Sequence, residues 1–310
     1  MTSIDHCSIF LFWLGYISWI FCFFGDGFDD FFILIKKNRK IYKKKENKME
    51  KISIQGVSET MLQTLYARAN ESKKENHMIY DAKAIEIVSQ IDYDFSIADK
   101  DLMMSKGVIA RTIVLDQMIQ DFISIHSQAT IINIACGLDT RFYRVDNGKV
   151  RWYNLDLPDV IAIRKRFLAE NDRVSMISAS AIDKKWVRDI KETSDVLIII
   201  EGLTMYLSEK DISTILHIID QHFLHVTIFM ETMAPFAVKH IKEKSVEASQ
   251  AKFSWGIKNG KELEKIAPAF HFIEDVSLVS GMKEMMSIYK LLEKMPFVKN
   301  ISNKITILKK

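Results

Sequence analysis

A short stretch of the chain, NIACGLDTRFY at residues 133–143, joins an apolar run to a glycine turn, an acid, an arginine and two aromatic residues. Gly137 can adopt a positive φ or let a ligand approach the backbone closely. Asp156 follows nineteen residues later, at the end of a second apolar run. An acidic side chain in that place commonly accepts hydrogen bonds from a ribose. The spacing therefore predicts a site for a nucleoside-containing cofactor.

The same turn lacks the G-x-G-x-x-G pattern of dinucleotide sites. Ala135 and Leu138 stand where further glycines would be expected. A pyrophosphate would have few backbone amides to bind, which disfavours NAD and FAD. An alternative for Asp156 is that it only caps a helix that begins near Pro158.

A second carboxylate, Glu201, ends the apolar run DVLIIIE at residues 195–201. That run is short and rich in isoleucine, which is typical of a central parallel strand. A side chain at the carboxyl edge of such a sheet lies where these folds bind ligands. Capping of the next helix is the alternative, but Ser208 and Asp211 already supply a cap and a first-turn acid there.

Apolar runs and amphipathic stretches alternate through the rest of the chain. This alternation predicts a mostly parallel sheet covered by helices on both faces. The predicted strands are residues 128–134, 150–155, 195–201, 225–231, 270–278 and 304–308, and the predicted later helices are residues 208–222 and 282–294.

Several motifs occur together in a characteristic order: NIACGLDTRFYR, NLDLPDVI, SASAID with Trp186, and EGLTMYL. Further motifs are SETMLQTLYARANES, DAKAIEIV and SKGVIARTIVLDQMI upstream, and FSWGIKNGKELE downstream. In these motifs the chain resembles the S-adenosylmethionine-dependent methyltransferases that include leucine carboxyl methyltransferase and the tetracenomycin-type polyketide O-methyltransferases. The resemblance runs from about residue 52 to the C-terminus.

The resemblance implies a Rossmann-like class I methyltransferase fold. Its seven-stranded, mostly parallel sheet would carry an antiparallel last strand, with helices on both faces. The helices before residue 128 would form an N-terminal cap over the cofactor, S-adenosyl-L-methionine.

At the methionyl end of the cofactor, the resemblance implies three binding residues. Arg111 matches the arginine that holds the methionyl carboxylate, for which a planar guanidinium is well suited. Gly137 would let the backbone pass close to the methionyl group. Glu201 would pair with the ammonium group and complement the sulfonium charge. A solvated helix face is the alternative for Arg111.

At the nucleoside end, Asp156 would accept hydrogen bonds from both ribose hydroxyls. Ala181 and Ile182, preceded by Ser180, match the segment beside the adenine. An apolar wall and a backbone amide suffice there to hold a purine.

Methyl transfer from a sulfonium requires mainly an aligned acceptor oxygen and the exclusion of water. A carboxylate acceptor needs no base, whereas a hydroxyl gains from a nearby proton acceptor. Tyr206 and Glu231 are the candidate catalytic residues, and His271 is a further one. Residues 232–255, which include several aromatic side chains, are interpreted as a substrate lid, with plain helix packing as the alternative.

The predicted function is therefore O-methylation of a hydroxyl or carboxylate of a small, polyketide-like molecule. One alternative is methylation of a protein C-terminal carboxylate. Another is a cofactor-binding interaction module that no longer catalyses transfer. Fold-level similarity does not name a substrate.

The first 48 residues differ sharply in composition from the rest, so the predicted domains are residues 1–48 and 49–310. Seventeen uncharged residues, 8–24, precede a basic run at residues 36–48. We favour an upstream-start artefact with translation from Met49 and a cytoplasmic enzyme. The alternative is an anchor at the inner face of the cytoplasmic membrane.

Charge and cysteine usage exclude several other functions. The first 48 residues hold eight Lys or Arg and five Asp or Glu, which accounts for the whole net charge of +3. The remaining chain is balanced, which disfavours nucleic acid as a partner. Its only cysteine, Cys136, is interpreted as a packing residue, and neither a disulfide nor a metal site is predicted.

Overall fold

The computed structural model describes residues 50–52, 59–191, 195–240, 252–285 and 302–310. The leader at residues 1–48 lies outside the described residues. So do residues 241–251 of the predicted lid and residues 286–294 of the predicted helix near the C-terminus.

The centre of the molecule is a seven-stranded sheet with strand order β3-β2-β1-β4-β5-β7-β6. The first five strands in this order are parallel, and β7 runs antiparallel to both of its neighbours. The strands are β1 Thr130–Ile134, β2 Arg151–Asp156, β3 Val174–Ser178, β4 Val196–Ile200, β5 Val226–Thr232, β6 His271–Ser277 and β7 Lys304–Lys309.

Both central strands, β1 and β4, are buried along their whole length. Near-continuous apolar sequences are expected where both faces of a sheet are covered. Ile134 at the end of β1 lies beside Leu155 of β2 and Ile200 of β4. The loops that leave these three strands therefore meet at one edge of the sheet.

The helices lie on both faces of the sheet and over its carboxyl edge. They are α1 Thr60–Ser72, α2 Ala82–Val88, α3 Ser96–Lys100, α4 Leu102–Ile125, α5 Phe142–Val145, α6 Pro158–Phe167, α7 Glu209–His222, α8 Pro235–His240, α9 Leu263–Ile266 and α10 Val279–Met285. Short 3₁₀ turns cover Lys184–Asp189, Thr204–Tyr206 and Gly260–Glu262. A two-residue strand, Glu50–Lys51, pairs with Ile91–Asp92.

Alternation along the strands divides the core into two layers. Ile131 and Leu197 pack against α4, whereas Ile132 and Ile198 pack in the cluster that contains α7. Successive side chains of a strand point to opposite faces, so one run of isoleucines serves both layers. A third cluster joins α1 and α2 to Leu138 and to α6. Of the helices before β1, α1 and α2 cap the carboxyl edge, and α4 covers a face of the sheet.

The sequence-based strands agree with the observed ones to within about two residues at either end. Val174–Ser178 was not predicted as a separate strand, because its serines interrupt the apolar pattern and it lies at the edge of the sheet. The helix predicted to begin at residue 282 begins at Val279. Within the described parts of the chain, no helix combines the length and apolar character needed to cross a membrane.

Gly281 allows α10 to approach α4 closely. A Cβ at this position would lie 2.3 Å from the Ala110 carbonyl oxygen. We expect Gly281→Ala to lower the free energy of unfolding by roughly 1–3 kcal/mol, because the backbones would have to separate. Gly107→Ala is the matched control, since no atom lies within 4 Å of its added Cβ. That variant should instead gain about 0.5–1 kcal/mol from higher helix propensity. Urea unfolding measures both, and equal effects would contradict the close approach.

Candidate functional site

A cavity of about 380 Å³ opens at the carboxyl edge of β1, β2 and β4. One wall is formed by α1, whose lining residues Thr60, Met61, Thr64 and Arg68 recur at helical spacing. The size is within the usual range for small-molecule sites. The cavity brings together seven residues selected from the sequence: Arg111, Gly137, Asp156, Ala181, Ile182, Glu201 and Tyr206.

The turn after β1 has a backbone that few residues can adopt. Gly137 has a φ of +47° and Ala135 a φ of +55°. A Cβ on Gly137 would lie 2.9 Å from the Met61 Cβ atom of α1. Glycine is therefore required here both by conformation and by the close packing of the cap.

Asp156 joins the ends of β1 and β2. Its Oδ2 atom accepts a hydrogen bond from the Gly137 amide at 2.7 Å, and Oδ1 accepts one from the Leu157 amide at 2.7 Å. The N-cap residue of α6 is Leu157, which has no side-chain cap, so the capping alternative for Asp156 does not describe its main contact. Burial raises the pKa of Asp156 above its usual value, while these two amides and Arg164 act in the opposite direction.

Arg111 projects from α4 into a group of carboxylates. Its Nε atom lies 2.6 Å from Glu201 Oε1, and Nη1 lies 2.9 Å from Glu231 Oε2. Its side chain is only 14% exposed, which rules out the solvated helix face as its environment. The arginine lines the cavity, but two protein carboxylates already orient it.

Glu201 is held by two arginines. Besides Arg111, the Nη2 atom of Arg141 lies 2.7 Å from Glu201 Oε2. Burial alone would raise the pKa of Glu201, but the guanidinium groups of Arg141 and Arg111 keep it below its usual range. Glu201 is therefore an ionised carboxylate at the floor of the cavity.

These pairs belong to a larger buried network that the sequence did not reveal. It links Arg68 to Asp81, Arg144 to Asp81 and Asp116, and Arg141 to Asp116 and Asp139. Asp139, Arg141 and Arg144 lie within the quoted motif NIACGLDTRFYR, but no role was assigned to them. Their closeness to the glycine turn was the available signal.

The candidate bases have different surroundings. Tyr206 lines the cavity and its ring centroid lies 5.5 Å from that of Phe253. Glu231 is 1% exposed, accepts hydrogen bonds from Arg111 and from the Gly202 amide at 2.8 Å, and lies beneath the cavity lining. Since its oxygens are used in this way, we do not retain Glu231 as a base. His271 is also wrong as a candidate, because it begins β6 at the opposite, amino edge of the sheet, beside Lys309.

The predicted lid is only partly distinct from the core. Met233 and Trp255 are buried, and Trp255 belongs to the main core cluster, as the packing alternative proposed. Phe236 on α8 is 52% exposed and Phe253 packs near Tyr206. Cys136 is buried, and burial raises the pKa of its thiol to about 12, so it remains protonated and serves as a packing residue.

Comparisons with known proteins agree with this geometry. The family model described as leucine carboxyl methyltransferase matches residues 61–220, a span that contains nearly all of the cavity lining. The tetracenomycin polyketide synthesis O-methyltransferase TcmP of Streptomyces glaucescens is 35% identical over 237 residues, covering 75% of this chain and 87% of that protein. The S-adenosyl-L-methionine-dependent methyltransferase dpfgK of Gibberella zeae is 29% identical over 247 residues, covering 72% and 83%.

Among solved structures, a protein of Thermobifida fusca classed as a methyltransferase shares the fold. Its TM-score is 0.51 at 14% identity, covering 79% of this chain and 94% of that one. Fold, cavity and relatives together define an S-adenosylmethionine-dependent class I methyltransferase. The chain belongs to the leucine carboxyl methyltransferase family.

The glycine turn provides a direct test of the cavity. We expect Gly137→Ala to lower the free energy of unfolding by roughly 1–3 kcal/mol, because it combines a strained φ with a clash against Met61. It should also weaken binding of S-adenosylhomocysteine at least tenfold in calorimetric titration. Gly148→Ala is the control, since Gly148 has a φ of +79° with open space around it. It should cost only about 1–2 kcal/mol and leave binding unchanged; equal losses of binding would contradict this assignment.

The buried network also predicts how stability depends on pH. Arginine neighbours hold the pKa values of Asp81, Asp139 and Glu201 below their usual range despite burial. A depressed folded-state pKa stabilises the protein above the unfolded-state pKa of about 4, and this contribution is lost as pH falls below it. Each group adds a slope of about 1.4 kcal/mol per pH unit; Asp156, with its raised pKa, acts in the opposite direction. Urea unfolding at pH 7, 5, 4 and 3 should show a steep loss below pH 4, and a flat profile would contradict it.

Proposed function

We propose that this methyltransferase acts on an oxygen, transferring the methyl group to a hydroxyl or carboxylate of a small, polyketide-like molecule. The observation that carries the proposal is the cavity itself, which has a charged floor at one end and aromatic side chains at its mouth. The 35% identity to TcmP, a tetracenomycin polyketide synthesis O-methyltransferase, supports the acceptor class.

We assign the cofactor site to Arg111, Gly137, Asp156, Glu201 and the Ala181–Ile182 segment. The donors and acceptors in the cavity suit an amino acid joined to a ribose. Glu201 is ionised and favours an ammonium group, and Arg111 offers a guanidinium for a carboxylate. Asp156 is a buried carboxylate whose pKa is raised, so hydroxyl donors would stabilise its charged form.

At the nucleoside end, the cavity wall becomes apolar. Ala181 and Ile182 line it, and the indole nitrogen of Trp186 donates to the Ala181 carbonyl at 3.1 Å. This contact fixes the segment against the core, so the wall presents a rigid apolar surface to the flat face of a base.

The chemistry that the cofactor supplies when bound is an electrophilic methyl group on a sulfonium. The chain then has to position the acceptor and exclude water. Tyr206, at the cavity mouth beside Phe253, is the residue we assign to contact the acceptor. Its phenol can donate to or accept from an acceptor oxygen. A carboxylate acceptor would need no base, and a hydroxyl acceptor would gain from Tyr206.

Two alternatives remain in the same test. The family name raises methylation of a protein C-terminal carboxylate, and a non-catalytic binding module is the other possibility. An acceptor cavity bordered by Tyr206, Phe253 and the exposed ring of Phe236 supports an aromatic small molecule over a peptide terminus.

The experiment uses methyl-labelled S-adenosylmethionine with cell extract separated into small-molecule and protein fractions. We expect label in the small-molecule fraction; release of volatile methanol by alkali distinguishes an ester from an ether. Asp156→Ala should reduce incorporation at least a hundredfold, because a buried ribose contact of about 3 kcal/mol would be lost. Asp159→Ala, an exposed acid in the first turn of α6, is the control and should retain activity.

The other outcomes are informative. Label in the protein fraction would favour the carboxyl methylation of proteins. Tight binding of S-adenosylhomocysteine without any transfer would favour the binding module. Equal activity of Asp156→Ala and Asp159→Ala would remove Asp156 from the site.

A further inference from the structure

The apolar end of the cavity has two facing walls. One wall is the segment after β3, with Ala179, Ala181 and Ile182, and the other is the start of α7, with Asp211 and Ile215. A flat, weakly polar base is best accommodated at this end, because the opposite end holds the ionised groups of the network.

The first wall has few acceptors left for an amino group. The Ser180 carbonyl accepts from the Asp183 amide at 3.0 Å, and the Ala181 carbonyl accepts from the Trp186 indole at 3.1 Å. The side chains of Ala179, Ala181 and Ile182 carry no polar atoms. An amine that reached this wall would therefore gain little from it beyond contact with the Ser180 hydroxyl.

Asp211 on the facing wall is a better acceptor. Its Oδ2 atom accepts hydrogen bonds from the Ser208 amide at 3.2 Å and the Ser208 hydroxyl at 2.7 Å. These contacts fix the carboxylate as half of the capping box of α7. No group in the described parts of the chain donates to Oδ1. The side chain thus lines the cavity with one oxygen oriented by the helix cap and one oxygen available.

We propose that Asp211 accepts a hydrogen bond from the exocyclic amino group of the cofactor's adenine and so selects adenine over a 6-oxopurine. The inference rests on the proposed cofactor site. A carboxylate has only acceptor atoms, so it attracts an amino group and repels a carbonyl oxygen in the same place. Discrimination of this kind comes as much from the repulsion as from the attraction.

The test compares two ligands that differ at this position. Dissociation constants of S-adenosylhomocysteine and S-inosylhomocysteine are measured by isothermal titration calorimetry for the wild type, Asp211→Ala and Asp211→Asn. We expect the wild type to prefer the adenine ligand at least tenfold and Asp211→Ala to prefer it less than threefold. Asp211→Asn should also lose preference, because its amide can turn either its nitrogen or its oxygen to the base.

Two control variants separate recognition of the base from helix capping and from the other wall. Ser208→Ala removes the capping partner but leaves the Asp211 carboxylate in place, so most of the preference should remain. Ser180→Ala removes the hydroxyl on the facing wall and should also leave the preference unchanged. Thermal unfolding of each variant establishes that it is folded before titration.

The outcomes distinguish this inference from the site assignment. An unchanged preference in Asp211→Ala would overturn the role of Asp211, and a preference lost in Ser180→Ala would transfer that role to Ser180. If the wild type binds neither ligand, the assignment of the cavity as the cofactor site fails as well. If it binds both ligands equally, only the selection of adenine fails.

Discussion

The structure depends on the buried pairing of Arg111 and Arg141 with carboxylates from distant parts of the chain. Arg111 holds Glu201 after β4 and Glu231 in β5, while Arg141 holds Glu201 and Asp116 of α4. A buried charge is tolerated only when it is paired and hydrogen-bonded, so each ion fixes the position of the others. The ends of β4 and β5 are thereby tied to α4 and to the turn after β1.

This network also sets the electrostatic character of the cavity floor. It contains four arginines and five carboxylates: Arg68, Arg111, Arg141 and Arg144 with Asp81, Asp116, Asp139, Glu201 and Glu231. S-adenosylmethionine carries one more positive than negative charge, and the excess carboxylate complements it. That attraction weakens after transfer, when the sulfonium becomes a neutral thioether. The field of the cluster therefore favours the methyl donor over the demethylated product, without any side chain having to move.

What the sequence could and could not predict follows from the range of the interactions. The strands β1 and β4, the turn at Gly137 and the acid Asp156 are encoded by local patterns of apolar residues and spacing. The ion pairs join residues as far apart as Arg111 and Glu231, 120 positions along the chain, and composition does not specify such partners. Glu231 was accordingly interpreted as a base, although in the fold it is a structural counter-ion.

The missing glycines of the turn acquire a physical meaning in the fold. Ala135 adopts a left-handed φ of +55°, which costs a non-glycine residue about 1–2 kcal/mol. Hydrogen bonds on either side hold it, from the Cys136 amide to the Leu155 carbonyl and from the Gly137 amide to Asp156. The Gly137 amide is thus committed to a carboxylate, and the Ala135 methyl group occupies cavity surface that a glycine would leave open. A turn built in this way is poorly suited to cradle a phosphate and well suited to pass beside an uncharged ribose and a methionyl chain.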